Sequence, residues 1–197
     1  TLHIVQNTAA FLDPVTDADP HSSARPDMAV ITHLDLDITV DMNACRIYGT
    51  ASYNISSASG ETIVLDTDGL NIDGVYDAEG NELEYEFGEN LPITGQSLRV
   101  YLSGAERITV YYGTSPKARA LQWLTPAQTN GKMYSFLFTQ GQMILTRSWI
   151  PIQDSPGIRF TYNAKVKVPP DLMAVMSATN PTERSADGTY EFKMDRP

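Results

Sequence analysis

Residues 33–41 read His-Leu-Asp-Leu-Asp-Ile-Thr-Val-Asp, and this strict alternation restricts the fold more than any other stretch of the chain. Successive side chains of an extended strand point to opposite faces, so Leu34, Leu36, Ile38 and Val40 share one face and Asp35, Asp37, Thr39 and Asp41 the other. Such a strand has one face in a core and one in water. Residues 46–55 repeat the period with Ile47, Gly49, Ala51, Tyr53 and Ile55, and residues 41–45 ("DMNAC") read as the turn of a hairpin. Further short stretches at 62–67, 70–77, 82–88, 97–103, 107–114, 135–145, 159–169, 172–179 and 189–195 are strand candidates. Turn residues at 79–82, 93–96, 102–106 and 185–189 punctuate them. No window of a dozen residues keeps an apolar 3.6 period free of Gly or Pro, and only residues 117–123 ("KARALQW") suggest a short helical turn. The implied class is all-β, a sandwich of strongly curved sheets. Residues 1–26, with Pro14, Pro20 and Pro26 and no sustained period, read as an extended leader, and residues 27–197 as the folded domain.

A chain of 197 residues with 42% hydrophobic content can build a sizeable core. Acidic residues outnumber basic ones 24 to 14, the net charge is −10, and no Lys/Arg cluster offers a footprint for phosphates. Nucleic acid and anionic membrane are therefore not expected partners. The lone Cys45 has no intrachain disulfide partner and reads as a packing or turn residue. No apolar stretch reaches the length of a transmembrane helix. The chain begins at Thr1 rather than Met, as a trimmed or mature chain would, so the lack of a targeting signal assigns no compartment.

Catalysis needs a nucleophile with a base, a metal cage, or carboxylates split by environment. The chain holds only His3, His21 and His33, no H-E-x-x-H pair and no G-x-S-x-G elbow. Spacing alone leaves a Ser-His-Asp triad open, because its members meet in space. His33 sits at the polar phase of its strand, where an imidazole facing solvent is expected. No catalytic residue and no metal ligand is assigned, and the chain alone does not read as a complete enzyme.

Residues 138–151, "FTQGQMILTRSWIP", raise a separate question, because two amides interrupt an otherwise apolar run. On a regular strand Gln140 and Gln142 project from one face with Phe138 and Ile144. Two readings are open. The amides satisfy buried backbone groups or face solvent, or they hold a peptide's backbone or terminal amine. Trp123 and Trp149 read as buried aromatic anchors, with sugar-stacking platforms as the alternative. That alternative would make the chain an independent β-sandwich carbohydrate- or ligand-binding module. Arg147 reads as half of a structural ion pair with Asp154, and of Tyr111 and Tyr112 one faces the core and the other solvent.

Together, residues 63–75 ("IVLDTDGLNIDGV"), 112–129 ("YGTSPKARALQWLTPAQT"), 137–142 ("LFTQGQ") and 151–178 ("PIQDSPGIRFTYNAKVKVPPDLMAVMSA") resemble the N-terminal domain of zinc aminopeptidases. The family is that of aminopeptidase N and leukotriene A-four hydrolase. The opening hairpin is also similar, so the resemblance spans most of residues 30–180. It implies a saddle-shaped β-domain covering a catalytic domain further along the same polypeptide. That domain, not this chain, would carry the zinc and the glutamate base. The terminal "YEFKMDRP" resembles the last strand before the crossover into it. The resemblance also implies that the Q-x-Q region walls the substrate cleft. Gln142 would bind the free α-amino group of a peptide, and Gln140 would support it or touch the peptide backbone. The aminopeptidase N branch typically has an acidic residue at the second position, so Gln142 favours the leukotriene hydrolase branch. Gly141 and Met143 depart from the usual neighbours. Gly141 would permit close backbone approach, and Met143 would narrow or reshape the apolar subsite. Hydrolysis of N-terminal peptide bonds is the implied parent activity, with epoxide hydrolysis a second one whose residues would lie mostly outside this chain.

Overall fold

The alternation at residues 33–41 becomes the longest strand of the molecule. In the structure, a computed structural model describing residues 19–197, β1 (Ala29–Asp41) buries Leu34, Leu36, Ile38 and Val40 and turns Asp35, Asp37 and Asp41 outward. β2 (Arg46–Ser57) pairs with it antiparallel, placing Leu34 opposite Tyr53 and Leu36 opposite Ala51. The connecting turn contains Cys45 at a φ of 50°, so this cysteine is a turn residue. At Gly49 the strands come so close that a β-carbon would strike the Asp37 carbonyl, which explains a glycine inside a strand.

The remaining strands are β3 (Thr62–Thr67), β4 (Asn71–Asp77), β5 (Tyr85–Leu91), β6 (Gly95–Tyr101), β7 (Arg107–Gly113), β8 (Leu121–Leu124), β9 (Phe136–Thr139), β10 (Thr161–Lys167) and β11 (Thr189–Met194). They form a six-stranded sheet in the order β11-β10-β1-β2-β7-β4, a three-stranded sheet β3-β6-β5 and the hairpin β8-β9. Every strand pairing is antiparallel except β1 with β10. The class is all-β, with curved mixed sheets. Tyr53, Val110 and Tyr112 of the large sheet and Leu65, Leu98 and Val100 of the smaller one fill a common core. Each fully buried aliphatic side chain stabilises this core by about 1.5–3 kcal/mol. Tyr112 is 1% exposed and its neighbour Tyr111 is 47% exposed, the split that strand alternation demands.

Segment 151–154 stitches the two sheets together. Ile152 bridges Asp66 of β3, and the Tyr53 hydroxyl donates to the Pro151 carbonyl. The buried amide of Gln153 accepts the Ile31 N–H at 2.9 Å and donates to the Ala29 carbonyl at 2.9 Å. One expected strand is absent. Residues 172–179 alternate in burial, with Leu172, Ala174, Met176 and Ala178 turned inward, yet only Thr179 makes a bridge, to Lys193. The segment is extended and packs on the core, but no neighbouring backbone runs beside it to form a ladder. In place of the helical turn expected at 117–123 there are two successive tight turns, Ala118 N–H to Ser115 carbonyl and Leu121 N–H to Ala118 carbonyl, leading into β8. Of the leader expected over residues 1–26, residues 1–18 lie outside the described residues.

Candidate functional site

The Gln-Gly-Gln stretch continues from the hairpin β8-β9, whose register places Leu121 opposite Thr139 and Trp123 opposite Leu137. Trp123 and Leu137 turn toward the core, while Phe136 and Phe138 stay exposed with their rings 6.3 Å apart. The ladder stops at Thr139 because its partner strand starts at Leu121. One more bond is made, from the Gln140 N–H to the Ala120 carbonyl at 2.8 Å. The expectation of a regular strand through Ile144, with both glutamines on one face, is therefore corrected. Residues 142–145 turn, and a 3-10 turn, Thr146–Ser148, follows. The Gln142–Met143 peptide bond within this turn is cis.

The answer to why two amides sit here is that neither is buried. Gln140 and Gln142 are exposed, and Met143 is 84% exposed. Neither glutamine side chain hydrogen-bonds another described residue. The work a buried amide does in this fold falls to Gln153, which satisfies backbone groups of β1 on both sides. At Gly141 a β-carbon would meet the Thr146 side-chain hydroxyl.

Although its tip is exposed, the loop is held rigidly from below. The Ser148 hydroxyl, 1% exposed, accepts the Ala120 N–H at 2.9 Å and donates to the Leu145 carbonyl at 2.7 Å. The Leu145 N–H returns to the Gly141 carbonyl at 2.9 Å. Next to it Arg147, fully buried, donates from Nε to the Asp154 carboxylate at 3.1 Å and from Nη1 to the Thr94 carbonyl at 2.7 Å. Asp66 lies 3.7 Å from Nη1. It accepts the Ser22 hydroxyl at 2.5 Å, the Ser23 N–H at 2.7 Å and the Asp154 N–H at 3.0 Å, so the described part of the leader docks on the same cluster. Burial pushes the Asp154 carboxyl above its ordinary value, against the opposing pull of the Arg147 guanidinium. The ion pair expected between Arg147 and Asp154 is present. Ser148 and Asp66 carried no motif, since their roles depend on residues distant in sequence.

His33 is not the solvent-facing imidazole expected from its strand phase. It shares the outward face of β1 with Asp35, but β10 runs beside it and closes a polar cluster, with Nδ1 2.6 Å from the Thr161 hydroxyl and Nε2 3.2 Å from Asp35. Asp35 also accepts Arg107 at 2.8 Å and Asn163 at 3.0 Å. Burial raises the Asp35 carboxyl, but the hydrogen bonds from Asn163, Arg107 and His33 outweigh it and hold the group below its ordinary value. Every member of the cluster is paired within the large sheet, which marks it as structural. Both tryptophans are partly buried against the core, so neither forms the exposed platform that the carbohydrate-binding alternative needs.

The fold is shared with part of the chain of solved LTA4 hydrolase and M1 zinc metallopeptidase structures. The chain superposes on yeast LTA4 hydrolase with a TM-score of 0.81 at 22% identity, covering 90% of this chain and 28% of the yeast one. It also superposes on an M1 zinc metallopeptidase from Deinococcus radiodurans bound to a Tyr-Ser-Ala substrate, with a TM-score of 0.62 at 18% identity, covering 85% and 39%. The chain belongs to the peptidase M1 N-terminal domain family, which it matches over residues 30–196. It is 36% identical over 193 residues to leukotriene A-4 hydrolase of Xenopus laevis, covering 91% of this chain and 32% of that protein. Against leucine aminopeptidase 2 of Yarrowia lipolytica it is 29% identical over 184 residues, covering 91% and 28%. The chain thus spans about a third of the length of the curated relatives it matches.

Among the described residues no group of three or more His, Cys, Asp or Glu side chains is placed to hold a metal ion. The His33 ring is engaged at both nitrogens.

Proposed function

We propose that residues 27–197 form one wall of the substrate cleft of a longer zinc aminopeptidase, with residues 1–26 leading into them. The catalytic domain follows in the same polypeptide. The carrying observation is the contrast among three glutamines: Gln153 is buried and spent on backbone groups, while the exposed amides of Gln140 and Gln142 bond no other described residue, on a loop pinned from beneath. An amide oxygen is a neutral acceptor suited to a terminal ammonium, and its N–H groups suit a peptide carbonyl. In this reading Gln142 takes the α-amino group and Gln140 the backbone beside it. Gly141 lets the loop close on Thr146. Exposed Phe138 and Met143 supply an apolar border for the first side chain of the peptide. The chemistry of hydrolysis belongs to the catalytic domain and its zinc, not to any side chain described here.

A hydrogen bond to a charged group contributes about 1.5–3 kcal/mol, so removing one should lower kcat/KM by roughly tenfold to a hundredfold. The test is to express the full-length protein and assay aminoacyl-nitroanilide cleavage with and without a chelator. Chelator-sensitive cleavage weakened by Gln142→Ala supports the role. An active enzyme indifferent to Gln142→Ala returns the amides to ordinary surface polarity. Epoxide hydrolysis is the second reading, favoured by the 36% identity to leukotriene A-4 hydrolase. The exposed Phe136, Phe138 and Met143 would also suit an apolar lipid chain. Turnover of an allylic epoxide by the same preparation decides it.

A further inference from the structure

We infer that Ser148 is a positioning residue for the recognition of the peptide amine, acting through the backbone of the Gln140–Met143 loop. The inference rests on the proposed role of Gln142 and deepens it. The exposed loop has two points of attachment, and both lead to one buried hydroxyl. At its entrance the Gln140 N–H is held by the Ala120 carbonyl at 2.8 Å, and the Ala120 N–H is held in turn by Ser148 Oγ at 2.9 Å. At its exit the Gly141 carbonyl is held by the Leu145 N–H at 2.9 Å, and the Leu145 carbonyl accepts both the Ser148 hydroxyl proton at 2.7 Å and the Ser148 N–H at 2.9 Å, so the entrance depends on the hydroxyl more than the exit does. Ser148 therefore acts as acceptor toward one end of the loop and donor toward the other, which fixes its proton on the Leu145 side.

The residues on either side keep this hydroxyl in place. Arg147 is locked by Asp154 and the Thr94 carbonyl, and the Trp149 and Ile150 N–H groups both return to the Thr146 carbonyl at 3.0 Å. With the 3-10 turn anchored to the core, the loop position is referenced to a rigid body rather than to the mobile end of a hairpin. Without the hydroxyl the Ala120 N–H loses its partner in a buried site, and the entrance of the loop is free to shift relative to its exit. An amide aimed at an ammonium tolerates little of that displacement.

The experiment uses the full-length enzyme and two competitive inhibitors, leucine hydroxamate and its des-amino counterpart, which differ only in the α-amino group. Their Ki ratio reads amine recognition and is unmoved by a lower fraction of folded enzyme. Ser148→Ala is expected to reduce the ratio by roughly threefold to tenfold, the range of one net hydrogen bond. The double variant with Gln142→Ala should lose little more than Gln142→Ala alone, because the two act in series. Ser148→Cys retains the volume with a weaker donor and acceptor, and should fall between wild type and Ser148→Ala. If Ser148→Ala does not fold, Ser148→Cys reads the same ratio. A wild-type ratio in the serine variants, with a reduced one in Gln142→Ala, overturns the inference and leaves the role of Gln142 standing. A wild-type ratio in Gln142→Ala overturns both.

Discussion

Fully buried Arg147 donates at 3.1 Å to Asp154, whose side chain is 13% exposed, five residues after the exposed Gln142. The exposed loop thus stands directly on a largely buried ion pair. Removing one partner of such a pair leaves the other charged and unsatisfied, a loss of about 3–5 kcal/mol. Arg147→Met should lower the unfolding free energy from urea denaturation by that amount. Arg147→Lys should recover only part, because an ammonium cannot reach the Thr94 carbonyl, the Asp154 carboxylate and the Asp154 backbone carbonyl together as the fork does. A midpoint unchanged by Arg147→Met would show that the pair contributes nothing.

Gly141 and Thr146 give a second, more local test. Gly141→Ala must push the Thr146 side chain aside, since the new β-carbon meets its hydroxyl oxygen and comes no closer than 3.7 Å to any other atom outside the loop neighbours. The displacement is confined to the loop, so the melting temperature should barely change while kcat/KM on an aminoacyl substrate falls several-fold. Adding Thr146→Ala should restore it. A double variant no better than Gly141→Ala alone would mean that another contact sets the loop.

Gly49 makes a contrast with Gly69 on the same physical ground. A β-carbon at Gly49 strikes the Asp37 carbonyl and lies 2.9 Å from the Ile38 α-carbon, both backbone atoms in the middle of the β1-β2 ladder. Gly69, at a φ of 66°, has open space around it. Gly69→Ala therefore costs about 1–2 kcal/mol for the left-handed conformation alone. Gly49→Ala should cost more, with about 1–3 kcal/mol of overpacking added to any backbone strain. Equal midpoint shifts in chemical denaturation would contradict the close approach.

How much of this was legible in the sequence depends on the range of the interaction that decides each element. The β1-β2 hairpin was, because alternation and a turn are local properties of residues 33–55. The period of residues 172–179 was also real, since Leu172, Ala174, Met176 and Ala178 do face inward. Its reading as a strand failed because a ladder needs a neighbouring backbone, and local pattern carries no information on that. The strand through Gln142 failed for the same reason: β8 starts at Leu121, so β9 has no partner after Thr139 apart from the single bond to Ala120. The amides drew notice as polar residues in an apolar run. Ser148 and Asp66 drew none, since a serine and an aspartate are ordinary until the fold brings Ala120, Leu145, Ser22 and Arg147 to them.

The polar cluster on the large sheet should show itself in the acid limb of stability. Asp35 is held below its ordinary carboxyl value near 3.8 by Asn163, Arg107 and His33, in spite of partial burial. The folded state thus binds its proton less readily than the unfolded chain does. Stability from Asp35 is fully present above the ordinary value and is lost as pH falls through the depressed one. Asp35→Asn removes this contribution at neutral pH and with it the corresponding slope. The melting temperatures of variant and wild type should therefore converge as pH drops from about 5 to about 2. Arg107→Gln should flatten the limb in part, since Asn163 and His33 still reach the carboxylate. Parallel curves for Asp35→Asn and wild type across that window would mean that the carboxylate is no better held in the fold than in the unfolded chain.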